Sequence, residues 1–220
     1  MKLVMFDMDG TIVDTQAFIL NTMREAFTAE DLPPPEADEA RRLIGLSLPV
    51  LISHLSGLDG EDVTRLEARY RAVYREKLAK EGSDEQLYPG AHDVISALSE
   101  DDDALLGIAT GKGLQGVNRV LGVHGLNGYF DTRQTPDHNP SKPHPAMLYR
   151  AMDETGTDPD RTVMIGDTTF DMEMAVAAST RAIGVSWGYH ETRDLIEAGA
   201  EIIVDRYVDL ISAIDELTDE

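Results

Sequence analysis

The chain has 220 residues, 42% of them hydrophobic, and its 41 acidic and 19 basic side chains give a formal net charge of −22. Such an acidic protein is not expected to bind nucleic acid or an anionic membrane, because those partners are negatively charged themselves. Cysteine is absent, which excludes disulfide bonds and thiolate metal sites. No apolar run is long enough to span a membrane and no signal-peptide pattern precedes the first strand, so we expect a cytoplasmic protein.

The first predicted element is a strand over residues 3–6, and it leads directly into two acidic residues, Asp7 and Asp9. Side chains alternate along an extended strand, so the two carboxylates face the same side at the strand end. Gly10 then ends the strand and places both acids at the edge where open α/β sheets bind ligands. Acids crowded there repel each other unless a cation or a shared proton relieves them, which indicates a metal-assisted site.

A helical segment follows the acidic motif. Apolar residues recur at helical spacing between Phe18 and Phe27, prolines interrupt the chain at 33–35, and further helices are predicted over 37–44, 48–55 and 61–81. At four-residue spacing the last helix contains the opposite charges Glu61/Arg65 and Glu67/Arg71 and the like charges Arg71/Arg75. We interpret it as an exposed helix with some support from ion pairs and not as a binding surface. Residues 82–90 are polar and contain glycine and proline, which is typical of a linker.

From residue 91 onward, strands and helices alternate. Strands are predicted over 104–109, 130–134, 162–165, 181–186 and 201–204, and helices over 91–98, 114–121, 145–155, 172–178, 192–198 and 208–217. This alternation predicts an α/β fold with a doubly wound, Rossmann-like parallel sheet. Because the earlier helices interrupt the alternation, we expect a core formed by residues 1–14 and 88–220 and an inserted α-helical cap formed by residues 15–87.

Further polar segments are predicted at the edge of the sheet that carries Asp7 and Asp9. They are Thr110-Gly111-Lys112 after one strand, Lys142 in a proline-bracketed loop, and Gly166-Asp167 with Asp171 after another strand. The aspartates supply the hard oxygen ligands that suit Mg²⁺. The threonine, the amides near Gly111 and Lys142 supply donors for a phosphate group.

These motifs, in this order and on these strands, resemble those of the haloacid dehalogenase superfamily of phosphohydrolases. The resemblance is to members with a helical C1-type cap after the first motif, such as phosphoglycolate phosphatases and β-phosphoglucomutases, and it covers essentially the whole chain. It implies that Asp7 is the nucleophile that forms an aspartyl-phosphate and that Asp9 is the general acid and base.

The resemblance also implies a ligand set and a phosphate site. Mg²⁺ would be held by Asp7, the backbone carbonyl of Asp9, and Asp167, with Asp171 in or near the shell behind these ligands. Thr110 and Lys142 would hold the transferring phosphoryl oxygens. From its position alone, Asp171 is also a candidate helix N-cap.

Two basic residues are candidate substrate contacts, and each of them can also be interpreted in another way. Lys112 either contacts the substrate or is a solvated loop charge. Arg42, in a predicted helix of the cap, either binds a substrate carboxylate or forms an exposed salt bridge.

The resemblance implies a Mg²⁺-dependent phosphatase for a small phosphorylated metabolite, with phosphoglycolate as the nearest named candidate. A pyrophosphatase and a β-phosphoglucomutase-like phosphomutase remain alternatives. A 2-haloacid dehalogenase is disfavoured by Asp9 and by the Gly166-Asp167 pair, and a non-catalytic protein is disfavoured because every expected position is intact. The sequence does not indicate an oligomeric state.

Overall fold

The structure, a computed structural model, describes residues 1–82 and 85–218. Its strands are β1 Lys2–Phe6, β2 Val13–Asp14, β3 Gln86–Leu87, β4 Ala104–Ala109, β5 Thr132–Gln134, β6 Thr162–Gly166, β7 Arg181–Val185 and β8 Ile202–Val204. Its α-helices are α1 Gln16–Ala29, α2 Ala37–Leu43, α3 Leu48–Ser56, α4 Gly60–Glu81, α5 Ala91–Ser99, α6 Leu114–Val123, α7 Ala146–Thr155, α8 Thr169–Ala178, α9 Thr192–Ala198 and α10 Leu210–Thr218. Short 3₁₀ turns cover Pro159–Arg161 and Tyr207–Asp209.

A six-stranded parallel sheet with the order β5-β4-β1-β6-β7-β8 forms the centre of the protein. Alternate residues of β1 point to opposite faces, so Val4 and Phe6 join one apolar cluster with α5, α6 and α10. Leu3 and Met5 join a second cluster with α7, α8 and α9. The sheet is therefore covered by helices on both faces, and the predicted doubly wound α/β fold is confirmed.

Helices α1–α4 lie between β2 and β3, and we call them the helical insert. They have an apolar cluster of their own in which Met23 and Phe27 of α1 pack with Leu51 and Ile52 of α3 and Leu66 of α4. The insert therefore does not depend on the sheet for its main apolar burial. The division into residues 1–14, 15–87 and 88–220 stays a prediction.

A two-stranded antiparallel ribbon joins the helical insert to the sheet, and the sequence did not predict it. Val13 of β2 pairs with Leu87 of β3, and Asp14 pairs with Gln86. Strands of two residues are too short to show the alternation by which strands are recognised. Most of the predicted linker 82–90 is described, while residues 83 and 84 lie outside the described part of the chain.

Two predicted boundaries differ from the structure near the sheet edge. Helix α8 begins at Thr169 and not at residue 172, because Thr168 and Asp171 form a capping box that extends its first turn. The segment predicted as a terminal helix over 208–217 divides into the turn Tyr207–Asp209 and α10. Across residues 1–82 and 85–218, no helix combines the length and apolarity needed to cross a membrane.

Candidate active site

Three buried aspartates meet at the carboxyl edge of the sheet. Asp7 follows β1 and Asp167 follows β6, and these two strands are hydrogen-bonded neighbours. Asp171 lies in the first turn of α8. One carboxylate oxygen from each residue can be chosen so that all three oxygens lie within 4.8 Å of one another. The topology thus brings together residues that are about 160 positions apart in the sequence.

A tight turn after β1 allows this close approach. Gly10 has φ of +89°, and a Cβ atom at this position would overlap the carboxylate of Asp167. Two donors orient that carboxylate: the Thr11 hydroxyl donates to Oδ1 at 2.8 Å, and the Tyr189 amide donates to Oδ2 at 2.9 Å. Glycine is required here both for the left-handed backbone and for the space that the acid occupies.

Lys142 links two of the three acids. Its Nζ lies 3.0 Å from Oδ1 of Asp7 and 2.5 Å from Oδ1 of Asp171, and its side chain is fully buried. The other oxygen of Asp171 accepts hydrogen bonds from the amide and the hydroxyl of Thr168, at 3.1 and 2.7 Å. Asp171 therefore does not act as the N-cap itself, since Thr168 takes that position, and its charge is fixed towards Lys142.

The carboxylates are in an environment that disfavours their charged form. Burial, together with the charges of Asp171 and Asp9, raises the pKa of Asp7 to about 7 against the lowering effect of Lys142. Burial, followed by the charges of Asp7 and Asp171, raises the pKa of Asp167 well above its usual range. Three carboxylates against one ammonium leave an excess of negative charge that a bound cation would neutralise.

One oxygen of the cluster lacks a partner. Oδ2 of Asp7 is buried and has no hydrogen-bond partner among the described residues. A buried carboxylate oxygen is normally paired, so this atom identifies the place where a cation would be coordinated. The donors are hard oxygens, with no nitrogen or sulfur, and this set fits Mg²⁺.

Asp9 lies beside this cluster and has different partners. Its Oδ1 accepts a hydrogen bond from the Thr15 hydroxyl at 2.8 Å and lies 3.0 Å from Nζ of Lys112. The Lys112 side chain is only 9% exposed, and Nζ is 3.7 Å from Glu85 Oε1. The interpretation of Lys112 as a solvated loop charge is therefore wrong. Burial alone would lower the Lys112 pKa, but Asp9, Tyr74 and Glu85 outweigh it and keep the ammonium charged.

Thr110 and Gly111 are placed where β4 ends. Thr110 is buried, and its hydroxyl accepts a hydrogen bond from the Lys112 amide at 3.2 Å. Gly111 abuts the backbone carbonyls of Gly45 and Leu46 in the insert, so closely that a Cβ atom at Gly111 would overlap them. In this structure the α2–α3 loop of the insert therefore rests directly on the predicted phosphate-binding segment.

Two hydrogen bonds also hold that loop against the sheet edge. The Ser47 amide donates to Oγ of Ser141 at 2.8 Å. His190 accepts from the Thr169 amide at Nδ1, so its Nε2 carries the proton and donates to the carbonyl of Arg42 at 2.9 Å. The insert is thus seated on the core by polar contacts close to the acids.

A cavity of about 630 Å³ lies between the insert and the sheet edge, and Asp7 and Asp9 are part of its lining. One face of α4 also lines it, with Glu67, Tyr70, Arg71, Tyr74, Arg75 and Leu78. The interpretation of this helix as only an exposed, ion-paired element is therefore wrong. Its Glu67–Arg71 pair forms as predicted, whereas Arg65 pairs with Asp62 and Glu30 and not with Glu61.

Arg42, for which a substrate contact and an exposed salt bridge were the two alternatives, does not line this cavity. The residue is exposed, and its described hydrogen bond is made by its backbone carbonyl. The arginines that do line the cavity are Arg71, Arg75 and Arg119. Arg71 and Arg75 are four residues apart, as are Tyr70 and Tyr74, and this spacing is the signal that would have indicated a shared helix face for the first two arginines.

Comparison with known proteins shows the family. Residues 4–185 match the haloacid dehalogenase-like hydrolases. A probable phosphatase, IndB of Dickeya dadantii, is 36% identical over 96% of this chain and 92% of its own length. The N-acetylmuramic acid 6-phosphate phosphatase of Pseudomonas aeruginosa is 29% identical over 98% of this chain and 95% of its own. A phosphoglycolate phosphatase of Haemophilus influenzae is 26% identical over 96% and 97%.

The fold agrees with solved structures as well. A hydrolase from Pseudomonas syringae superposes with a TM-score of 0.86 at 25% identity, covering 99% of this chain and 100% of its own. The chain therefore belongs to the haloacid dehalogenase-like hydrolases, and the predicted enzyme class, a hydrolase of phosphate esters, is confirmed by the phosphatases among its relatives.

Proposed function

We propose that this haloacid dehalogenase-like hydrolase is a Mg²⁺-dependent phosphatase that cleaves a small phosphate monoester through an aspartyl-phosphate on Asp7. The observation that carries the proposal is the Asp7 carboxylate itself. It is buried, with one oxygen held by Lys142 and the other without a described partner, beside Asp167 and Asp171. An oxygen placed in this way is available to a cation and to an incoming phosphorus atom.

The chemistry follows from the different partners of Asp7 and Asp9. A carboxylate oxygen of Asp7 attacks phosphorus, and the bond between phosphorus and the ester oxygen breaks. Asp9 gives its proton to the departing oxygen, which leaves as an alcohol. A water molecule then attacks phosphorus, Asp9 takes its proton, and the bond between phosphorus and Asp7 breaks to release inorganic phosphate. Both described contacts of Asp9 fall on Oδ1, so Oδ2 is the oxygen that we assign to the proton.

The metal site is formed by Asp7, the backbone carbonyl of Asp9, and Asp167, and Asp171 supports it through Lys142. When bound, Mg²⁺ neutralises negative charge on the carboxylates and on the phosphoryl oxygens. Lys142 contributes a buried ammonium that pairs with both Asp7 and Asp171 and faces the phosphoryl group.

The phosphate is held by groups at the end of β4 and by Lys142. The hydroxyl of Thr110, the amides around Gly111 and the Lys142 ammonium act as the donors that position its oxygens. Positioning and charge neutralisation account for most of the acceleration in phosphoryl transfer. The insert contacts the site through Gly45 and Leu46 and excludes bulk water while the phosphoryl group is transferred.

We propose a phosphoglycolate-like substrate, meaning a phosphate monoester that also carries a carboxylate. The names of two relatives, a phosphoglycolate phosphatase and an N-acetylmuramic acid 6-phosphate phosphatase, both describe phosphate esters of carboxylic acids. Pyrophosphatase and phosphomutase activities use the same attacking carboxylate and remain the alternatives. We do not propose haloacid dehalogenation, because the Asp9 acid and the Asp167 ligand would have no task in it.

The test is a panel of phosphate monoesters and pyrophosphate, assayed with Mg²⁺ and with excess chelator and ranked by kcat/KM. We expect release of inorganic phosphate that requires Mg²⁺ and is lost by at least about 10³-fold in Asp7→Asn, the loss usual for a nucleophile. Asp14→Asn is the matched control, since this aspartate at the end of β2 is exposed and its carboxylate accepts one described hydrogen bond, from the Gln16 amide. Full activity of Asp7→Asn, in protein shown by mass spectrometry to be free of deamidation, would refute the proposal.

A further inference from the structure

The cavity beside the acids is lined by two chemically different groups of side chains. One group is apolar and comes from the insert, namely Ile19, Met23, Leu46, Leu48 and Leu51. The other group is positively charged and consists of Arg71 and Arg75 of α4, Lys112, and Arg119 of α6. The lining also contains the carboxylates Asp7, Asp9, Glu67 and Asp137, so the cations that matter for an anionic ligand are those without a carboxylate partner.

Lys112 and Arg119 already have carboxylate partners. Lys112 pairs with Asp9, while Arg119 donates to Oε1 of the buried Glu85 at 2.7 Å and to the Tyr74 hydroxyl at 3.1 Å. The charges of these two residues are therefore compensated within the protein. They form the part of the lining nearest the predicted acid and base.

Arg71 also has a carboxylate partner, whereas the exposed Arg75 has none in the described part of the chain. Arg71 donates to Oε1 of Glu67 from Nε and Nη2, at 2.9 and 2.7 Å. Arg75 lies one turn further along the same face, and its Nε donates to the carbonyl of Arg71 at 3.2 Å. Among the described residues, Arg75 makes no ion pair with a carboxylate.

The hydrogen bond from Arg75 folds its guanidinium back along the helix towards Arg71. Two like charges four residues apart destabilise a helix, and an anion placed between them removes that cost. Arg71 also reaches across the cavity, since its Nη1 lies 3.8 Å from the position that a Cβ atom of Gly113 would take. The pair thus faces the core loop that begins at Thr110 and not bulk solvent alone.

The volume of the cavity leaves room for a ligand larger than phosphoglycolate. Phosphoglycolate has about nine non-hydrogen atoms, which corresponds to ~270 Å³ if each takes the volume of a water molecule in the liquid. The cavity is about 630 Å³, which is in the range of sites for larger metabolites. A substrate with a longer skeleton than glycolate therefore fits between Asp7 and α4, which both line the cavity.

We infer that Arg71 and Arg75 form a second anion subsite, which binds an anionic group on the leaving-group side of a substrate larger than phosphoglycolate. The inference rests on the proposed phosphatase function and adds the location of the specificity determinant. Arg75 is the central residue, because its charge has no carboxylate partner in the described structure and its planar guanidinium suits a carboxylate or a second phosphate. The apolar side chains of the lining contact the carbon skeleton that joins the two anions.

The experiment compares matched substrates that differ in the second anion. The pairs are 6-phosphogluconate with glucose 6-phosphate, fructose 1,6-bisphosphate with fructose 6-phosphate, and 3-phosphoglycerate with glycerol 3-phosphate. The first two pairs distinguish a carboxylate from a second phosphate, and the third has a shorter skeleton. Wild type, Arg75→Met, Arg75→Lys and Arg42→Met are each assayed with Mg²⁺ on all six compounds.

We expect wild type to prefer the doubly anionic member of one of the longer pairs by about tenfold or more in kcat/KM, the factor for one charge-assisted hydrogen bond. Arg75→Met should remove this preference by raising KM for that member alone, and Arg75→Lys should restore part of it. Arg42→Met should keep the preference, because Arg42 does not line the cavity.

The outcomes separate the inference from the function on which it rests. Turnover of the panel without any preference in wild type, or a preference that Arg75→Met leaves intact, overturns the subsite alone. A preference abolished by Arg42→Met and not by Arg75→Met assigns specificity to the other arginine and also overturns it. Absence of phosphate release from all six compounds and from p-nitrophenyl phosphate overturns the proposed function together with the inference.

Discussion

Lys112 and Asp9 form an ion pair at the floor of the cavity, with 3.0 Å between Nζ and Oδ1. The pair lies where the end of β4 meets the turn after β1, and Thr15 completes it from the start of the insert. Asp9 is therefore positioned by residues on both sides of the junction between the sheet and the insert. This arrangement explains how a proton-transferring carboxylate can be held steady beside a separate, metal-binding acid.

Replacing Lys112 by Met is expected to lower kcat about tenfold, because Asp9 loses a charged partner and part of its fixed orientation. The measurement is steady-state hydrolysis of p-nitrophenyl phosphate, a substrate without a second anion. Thr15→Val, which removes the neutral partner of the same oxygen, is the matched comparison and should cost less. An unchanged kcat in Lys112→Met would show that the ion pair does not position Asp9.

The Asp167→Asn variant is expected to be more stable than wild type at pH 8 in the absence of metal. The pKa of Asp167 is raised in the folded protein, so proton binding favours the fold at low pH and that contribution is lost as the pH rises through the raised pKa. The amide removes the buried charge while keeping the shape. A gain of about 1 kcal/mol would raise Tm by ~2–4 °C in a domain of this size.

Thermal unfolding with chelator at pH 5 and at pH 8 measures this effect. The difference between variant and wild type should shrink at pH 5, where Asp7, with a pKa of about 7, and Asp167 bind protons in the folded state. Asp38→Asn, at an exposed aspartate of α2, is the control and should show no such pH dependence. Equal or lower stability of Asp167→Asn at pH 8 would contradict the prediction.

Mg²⁺ should stabilise wild type and not Asp167→Asn. Binding to the folded state alone adds RT ln(1 + [L]/Kd), which is about 2.7 kcal/mol at a hundredfold excess over Kd. The measurement is the shift of Tm on titration with MgCl₂, and it is independent of any substrate. A full shift in Asp167→Asn would remove this residue from the ligand set.

Gly10→Ala is expected to abolish both the Mg²⁺-dependent shift and the hydrolase activity. The added methyl group would occupy the space of the Asp167 carboxylate, and φ of +89° strains any residue with a Cβ atom. Gly57→Ala separates backbone strain from steric overlap, since Gly57 has φ of +69° but has no atom of the described residues within 4 Å of the added methyl group. Gly57→Ala should therefore lower stability by about 1 kcal/mol and leave metal binding intact. Metal binding retained by Gly10→Ala would show that the turn tolerates a side chain.

Glu85→Gln is expected to lower both stability and kcat. The buried carboxylate accepts hydrogen bonds from Arg119 and Tyr74 and lies near Lys112. Loss of its charge leaves Arg119 without its carboxylate partner and leaves Lys112 with Asp9 alone. Breaking such a pair from one side costs about 3–5 kcal/mol. Chemical denaturation measures the loss, with Glu76→Gln at the exposed Glu76–Lys80 pair as the control. A loss no greater than that of the control would argue against a buried network at this position.

The sequence was sufficient for the sheet and for the acids at its edge. Strands β1 and β6 are apolar after their first residue and are followed by Asp7 and Asp167, so pattern and topology together predict where these carboxylates meet. The pattern of neighbouring residues was not sufficient to predict which side chains line the cavity beside these acids. Arg75 lies on a helix whose polar composition is the same whether that face meets solvent or a cavity, and only the packing of the insert distinguishes the two.

The burial of Lys112 could not be predicted from the sequence either. Its burial depends on Glu85 and Tyr74, which come from the far end of the insert and have no fixed sequence relation to it. Likewise, the capping box in the segment between Gly166 and Asp171 was not predicted. Asp171 takes part in the capping box at the start of α8 and also accepts a hydrogen bond from Lys142. When a residue makes two kinds of contact, the sequence pattern predicts only one of them.

The ribbon of β2 and β3 has a mechanical consequence. The only two covalent crossings between sheet and insert in the described chain are hydrogen-bonded to each other, through Val13 with Leu87 and Asp14 with Gln86. Rotation of the insert about one crossing alone would break the hydrogen bonds between the two. We therefore expect any opening of the insert to move both crossings together as one hinge, so that closure brings Arg75 back to the same position relative to Asp7.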